Sequence, residues 1–338
     1  MRRVDAGVPV TTARDEPSLD ETRGAYPRML DPSEIYEVVP EVAAELETRT
    51  AGGRGPVLVH AVRGFIDAGN AGQLAAEHLS EELTSSRLAS FDADQLVDYR
   101  SRRPVMTFDA TTWADYDEPE LVVDMVEDAA GTPFLLLHGV EPDVQWERYV
   151  AAVRQLVERF DVPLTIGLHG IPMGIPHTRP ASVTAHATRA ELVADHPSWF
   201  GTVQVPASAS SLLELRLGQS GHDAMGFAVH VPHYLTQSSY PQASIAALHA
   251  IERATGLELR TEALTAAATD ATAEIERQVA DNADVAGVVH ALEEQYDAFA
   301  RSAGRGSLLA RSADLPTAEE IGAEFERFLA QQGDDTVD

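Results

Sequence analysis

Short apolar runs alternate with amphipathic stretches through the first two thirds of the chain. The apolar run at 57–62 is typical of a buried strand, and helical periodicity follows it over 70–83. The alternation returns further on, where 134–137 predicts a strand, 144–160 carries one apolar helical face and 162–168 predicts another strand. Strands separated by amphipathic helices indicate parallel pairing, with helices on both faces of the sheet.

Two segments depart from this alternation. The apolar run 121–126 is separated from the strand at 134–137 by only a short glycine-containing turn, which is too short for a crossover helix. We therefore expect an antiparallel hairpin within a mixed sheet. After 227–231 the chain becomes rich in Ala and Glu, and three helical stripes follow at 264–279, 285–299 and 321–328.

These patterns predict an α/β fold, a three-layer αβα sandwich with a mixed, mostly parallel central sheet and a C-terminal helical extension. Residues 1–29 lack periodicity and are expected to form a mobile leader. The core domain is expected at 30–239, and the helical extension with its acidic tail at 240–338. Within the extension, the Gly- and Ser-containing stretch 302–312 predicts a flexible loop.

Charge and composition exclude several classes of function. The 338 residues include 54 acidic and 25 basic ones, and a net charge of −29 disfavours nucleic acid and anionic membranes as partners. Every basic residue is Arg and there is no Cys, which removes Schiff-base chemistry, a P-loop lysine, thiol nucleophiles and cysteine-based zinc sites. No apolar stretch reaches 18 residues, so we expect a soluble, cytoplasmic protein. With no Lys, no Cys and no H-E-x-x-H motif, we expect no cofactor and no metal site.

The glycine-punctuated segment 64–72 joins the first predicted strand to a helix. Glycines let backbone N–H groups approach an anion closely, and a helix N-terminus follows. However, the segment lacks G-x-G-x-x-G, and Asp67 disfavours phosphate. The sequence therefore leaves open a structural turn and a ligand loop.

Two further histidine-containing segments follow predicted strands. His138 and Glu141 come after the strand at 134–137, at the end of a parallel sheet where ligands bind, and can act as a base and its orienter. The segment 169–180 holds three prolines beside His and Arg, which suits either a functional loop or a rigid subunit contact. Four other histidines in or beside apolar runs are predicted to be core or edge residues, namely His60, His78, His186 and His230.

Four motifs resemble those of the proteasome assembly chaperone family, in its actinobacterial branch of the second-subunit type. They are G-F-I-D-A-G-N-A-G at 64–72, F-D-A-D-Q-L-V-D-Y-R-S-R-R-P at 91–104, L-L-L-H-G-V-E-P-D-V-Q-W-E at 135–147 and G-I-P-M-G-I-P-H-T-R-P at 170–180. The resemblance implies a fold similar to nucleoside phosphorylases, a homotrimer, and a role in binding or assembling proteins, including proteasome subunits. Some relatives dock through a C-terminal hydrophobic-Tyr-any residue tail, and this chain ends D-D-T-V-D instead.

Two classes of function follow. The first is a non-catalytic assembly factor, which the sequence favours. The second is a phosphorylase-like or hydrolase-like enzyme, or a small-molecule sensor, with catalytic candidates His138, Glu141 and Asp67 and with arginines that either bind phosphate or form surface ion pairs. The predicted pocket and motif residues are Gly64, Asp67, Gly69, Asn70, Arg102, Arg103, His138, Glu141, Trp146, Glu147, His169, His177, Thr178 and Arg179.

Overall fold

The structure, a computed structural model, describes residues 29–196 and 201–302. The expected leader at 1–28, the loop at 303–312 and the apolar stripe at 321–328 lie outside these ranges, so they stay predictions. Within them, no helix has both the length and the apolar character needed to cross a bilayer.

One mixed sheet of eight strands forms the centre of the fold, in the order β1-β3-β6-β7-β2-β8-β10-β9. The four strands β7, β2, β8 and β10 run parallel, and the pairs towards both edges are antiparallel. The predicted mixed sheet is thus confirmed. The strands are β1 (Tyr36–Val38), β2 (Leu58–Arg63), β3 (Thr84–Phe91), β4 (Met106–Asp109), β5 (Thr112–Tyr116), β6 (Leu121–Glu127), β7 (Pro133–Val140), β8 (Thr165–Met173), β9 (Val183–Ala187) and β10 (Ala224–Pro232).

Helices cover both faces of this sheet and make two separate cores, which confirms the three-layer architecture. One core holds residues of α2, α6 and α7 against β2, β8 and β10. The other holds residues of α1, α4 and α5 against the opposite side of the same sheet. The helices are α1 (Pro40–Thr50), α2 (Ala71–Glu82), α3 (Ala93–Leu96), α4 (Trp146–Arg159), α5 (Ala209–Gln219), α6 (Pro241–Thr255), α7 (Glu262–Asp281) and α8 (Ala283–Ser302).

The parallel strands are longer than their apolar runs predict. The hairpin of β6 and β7 is confirmed, and Leu121 pairs with Gly139 at its open end. As a result, His138 lies inside β7, although we expected it after the strand. His169 also lies inside β8 and is not part of a loop, because β10 pairs with β8 as far as Met173.

The three helices described after residue 240 differ in how deeply they are buried in the fold. Helix α6 buries Ala243, Ala247 and Ile251 in the core that it shares with α2 and β10. Helix α7 packs against α6 with Leu264 and Ile275, whereas Val289 and Leu292 are the buried side chains among the described residues of α8. The first helix of the expected extension is therefore an integral layer of the sandwich.

A two-stranded ribbon of β4 and β5 lies outside the main sheet, and the apolar patterning did not predict it. All nine of its residues are exposed, including Phe108 and Trp113 at 56% and 66% exposure. Their rings meet edge to face with centroids 5.0 Å apart. The ribbon has no buried face, so it lacks the alternation that marks a packed strand.

Candidate functional site

The side chain of Asp67 hydrogen-bonds the segment 64–72 to the start of helix α2 and to strand β8. Its Oδ1 accepts hydrogen bonds from the backbone N–H groups of Gly72 and Gly170 at 2.8 and 2.9 Å, and its Oδ2 accepts one from Gln73 at 3.0 Å. Burial raises the pKa of Asp67, and these three donors oppose the rise. The carboxylate thus caps α2 and holds it against β8, which is a structural task.

Two unusual backbone conformations shape the same segment. Gly69 has a φ of 67°, and a Cβ on it would lie 2.9 Å from the Cβ of Tyr240, so no side chain fits there. Asn70 follows with a φ of 53°, in the left-handed region that Asn tolerates. The tight turn brings the backbone of Gly69 into hydrogen bonds with Thr236 and Tyr240.

Glu141 holds three neighbouring segments together in a buried position. Its Oε2 accepts from the backbone N–H of Phe65 at 3.1 Å, and its Oε1 accepts from that of Ala209 at 2.7 Å. Ala209 is the first residue of α5, where a negative charge is favourable. A Cβ on Gly64 would lie 2.0 Å from Oε2, so this contact requires glycine.

Arg102 supports the same region from outside and is not free to bind phosphate. It is ion-paired with Asp143, and its Nη1 donates to the carbonyl of Arg63 at 3.1 Å. Its Nη2 donates to the carbonyl of Glu141 at 2.5 Å. Arg103, in contrast, has no hydrogen bond or ion pair within residues 29–196 and 201–302.

His138 is the one catalytic candidate with a carboxylate partner. Its Nε2 lies 2.8 Å from Oδ2 of Asp124, and the Nε of Arg87 donates to Oδ1 of the same carboxylate at 2.7 Å. Burial favours the neutral acid, but the hydrogen bonds from His138 and Arg87 prevail and hold the pKa of Asp124 below its usual value. This arrangement orients the imidazole as a general base would be oriented.

Several of the predicted site residues line one of three cavities. A cavity of about 300 Å³ is lined by Gly64, Asp67 and Asn70, and another of about 200 Å³ is lined by His138. Arg63 and Gln73 line both of these. A third cavity of about 420 Å³ is lined by His177 and Arg179. The first two cavities thus share lining residues, whereas the third shares none with them, although Tyr240 in its wall donates a backbone hydrogen bond to Gly69.

The motif residues Thr178 and Arg179 bind helix α8 of the same chain. Thr178 donates its hydroxyl to Glu293 of α8 at 2.5 Å, and Arg179 donates to both oxygens of Asp297 at 2.9 and 2.7 Å. The imidazole Nδ1 of His177 lies 2.7 Å from the hydroxyl of Tyr234. Within the described chain, this loop therefore serves as the docking point of α8.

The face of the sheet that packs on α4 and α5 carries a group of histidines, of which only His169 was predicted as a site residue. His60 is 3% exposed, and its ring lies over Gly167, where a Cβ would approach it to 2.8 Å. His169 lies two residues further along β8, and the centroid of its ring is 6.3 Å from that of the His186 ring. His186 in turn pairs with Glu214 of α5. Burial lowers the pKa of both His60 and His169 to about 4.

The remaining motif residues hold helix α4 in place. The Nε1 of Trp146 donates to the carbonyl of Pro142 at 2.6 Å, and Glu147 accepts from Arg216 of α5 at 3.0 Å. Both residues lie in the first turn of α4, which begins two residues after the apolar face expected over 144–160. No group of three or more His, Asp or Glu side chains in the described ranges is arranged to hold a metal ion.

Solved structures include close relatives of this chain. A Mycobacterium tuberculosis protein of unknown function, Rv2714, is 47% identical, with a TM-score of 0.77, over 91% of this chain and 99% of its own. A Corynebacterium glutamicum protein of unknown function is 39% identical, with a TM-score of 0.73, over 78% of this chain and 97% of its own.

A more distant structure carries a functional name. The Mycobacterium tuberculosis proteasome-assembly chaperone homologue Rv2125 is 24% identical, with a TM-score of 0.64, over 69% of this chain and 99% of its own. The comparison with curated proteins gives no match. The sequence matches the PAC2 family over residues 61–279, which is more than half of the chain. The strand-end segment around Asp67, the histidine strand of His138 and the loop that binds α8 all fall within that match, and the chain belongs to the PAC2 family.

Proposed function

We propose that this protein is a non-catalytic assembly factor that binds other proteins. The observation that carries the proposal is the use of the strand-end polar groups. Asp67 and Glu141 together accept five backbone hydrogen bonds, and Arg102 is ion-paired with Asp143. Groups committed to holding backbone segments are poorly suited to exchange protons with a substrate.

The PAC2 relatives supply the class of partner. One of them is named as a proteasome-assembly chaperone homologue, and it shares the fold of this chain over most of its own length. Proteasome subunits are therefore the partners that we propose first. The net charge of −29 favours partner surfaces rich in Lys and Arg.

Self-association into a homotrimer is part of the proposal, and the β4–β5 ribbon is its best-supported contact. An isolated two-stranded ribbon is marginally stable in water. This ribbon nevertheless exposes Met106, Phe108, Trp113 and Tyr116, and Val105 is exposed directly before it. A second copy of the chain that covers these side chains would supply the missing core.

An enzyme is the alternative, and the Asp124–His138 pair is the observation in its favour. His138 lines a cavity of about 200 Å³ at the strand ends, where ligands of α/β sheets bind. Among the described residues that line this cavity, there is no Ser, Thr or Tyr to act as a nucleophile. An activated water would have to attack instead.

A substrate screen separates the two functions. Purified protein is incubated with nucleosides plus phosphate, with nucleotides, and with acyl esters and amides, beside the variants His138→Ala and Glu141→Ala. The assembly-factor proposal predicts no turnover above that of the variants. Turnover that disappears in His138→Ala, while the fold and the oligomer persist, would establish the enzyme instead.

A further inference from the structure

The cavity of about 420 Å³ lies between helix α6 and the segment that leads into β9. One wall is a single face of α6 with Gln242, Ile245, Ala246, His249 and Arg253, spaced at helical intervals. The other wall is the backbone and the small side chains of 180–183. The volume is that of an ordinary small-molecule site.

The charge of the lining differs from that of the chain as a whole. The cavity is lined by two arginines, Arg179 and Arg253, and two histidines, and none of its described lining residues is acidic. Acidic residues outnumber basic ones by 54 to 25 in the chain. Arg179 is neutralised by Asp297 and Glu293 of α8, whereas Arg253 has no ion pair with any residue in 29–196 or 201–302.

Gln242 joins this wall of the cavity to helix α7. The side-chain amide of Gln242 donates to the carbonyl of Ala268 at 3.0 Å and to the hydroxyl of Thr272 at 2.5 Å. Its Oε1 is buried and has no hydrogen-bond partner. Because Oε1 is sealed from solvent, a molecule in the open cavity does not reach it, and Gln242 contributes to the wall without offering an acceptor.

From these features, we propose that the cavity binds a small organic anion. Its carboxylate, phosphate or sulfonate would pair with Arg253, and an apolar body would pack on Val183, Ile245 and Ala246. The inference does not rest on the assembly function, because none of the residues that line this cavity belongs to the β4–β5 ribbon or accepts the backbone hydrogen bonds at the strand ends.

The test uses 1-anilinonaphthalene-8-sulfonate, which combines an anionic group with an apolar body and fluoresces when bound. We expect saturable binding with one probe per chain, and a dissociation constant about tenfold higher in Arg253→Gln, the loss of one charge-assisted contact. Arg100→Gln is the matched control, because Arg100 is exposed and its side chain has no ion pair within the described ranges.

A second variant tests the cavity itself. Ala246→Phe fills it and should abolish saturable binding, while circular dichroism confirms that each variant is folded. Absence of saturable binding in the unmodified protein overturns the proposal. So does a dissociation constant of Arg253→Gln within twofold of the unmodified value, an equal loss in Arg100→Gln, or unchanged binding in folded Ala246→Phe.

Discussion

Arg179 and Asp297 form a two-pronged ion pair between the motif loop and helix α8. Nε and Nη2 of the guanidinium lie 2.9 and 2.7 Å from Oδ1 and Oδ2 of the carboxylate. The pair raises the pKa of Arg179 and lowers that of Asp297, because each charge stabilises the other. An arginine that the motif offered as a phosphate ligand is therefore occupied by a helix of its own chain.

The first prediction concerns this contact. Arg179→Gln removes both hydrogen bonds to Asp297, so α8 should open more often and its backbone amides should exchange hydrogen faster over residues 283–302. Hydrogen-exchange mass spectrometry measures this directly. Arg277→Gln, which breaks an ion pair within α7, is the control. Equal exchange of α8 in Arg179→Gln and the unmodified protein would show that the pair does not hold the helix.

The second prediction concerns Asp67. Asp67→Asn replaces an acceptor oxygen with an N–H₂ group facing backbone donors, and should lower the free energy of unfolding by about 2 kcal/mol. Urea unfolding measures the change. Asp109→Asn is the control, because Asp109 lies on the exposed ribbon, and it should leave the free energy of unfolding nearly unchanged. If the two variants are equally stable, then Asp67 does not have the structural role that its three hydrogen bonds indicate.

The third prediction concerns pH. Burial lowers the pKa of His60 and His230 from 6.5 to about 4, so the unfolded chain takes up these protons first as the pH falls. Stability should be highest above pH 6.5 and fall between pH 6.5 and 4, with each unit of pKa difference corresponding to about 1.4 kcal/mol per histidine.

Urea unfolding at pH 7.5 and 4.5 measures this loss, with His60→Phe as the variant. Phenylalanine retains an aromatic ring but cannot take up a proton, so the folded variant should lose less stability over the same pH interval. A loss as large as that of the unmodified protein would mean that His60 does not titrate with a lowered pKa.

The fourth prediction concerns the β4–β5 ribbon. Replacing Phe108 and Trp113 with Ser removes its largest exposed rings and should convert trimers to monomers, because the apolar area available to the contact falls. Light scattering measures the molar mass of the protein in solution and so distinguishes a trimer from a monomer. Val205→Ser, an exposed apolar residue outside the ribbon, is the control. Trimers that persist in the double variant would place the contact elsewhere, and a monomeric unmodified protein would exclude the trimer.

The buried elements could be predicted from the sequence, because burial on both faces leaves a continuous apolar run. Strands β2, β7 and β8 have this signature, and the short turn before Phe134 indicated the β6–β7 hairpin. Their ends could not be predicted. His138 and His169 are polar side chains inside strands, and only their neighbours in the sheet place them there.

The site was predicted in part. The sequence singled out Asp67, Glu141 and Arg179, but their partners are backbone groups and helices that lie far away in the sequence. The role of such a carboxylate depends on which donors the fold brings to it, and spacing along the chain does not contain that information. The cavity at Arg253 was missed for the same reason, since its walls are separated by about 60 residues.

The most direct test of the assembly-factor proposal is sedimentation velocity of the purified protein mixed with purified proteasome α or β subunits. We predict a complex that sediments faster than either component alone, and that weakens as the salt concentration rises, because an acidic chain binds a basic surface. Independent sedimentation of the protein and both subunits at all concentrations, at low salt, would contradict the proposal that proteasome subunits are its partners.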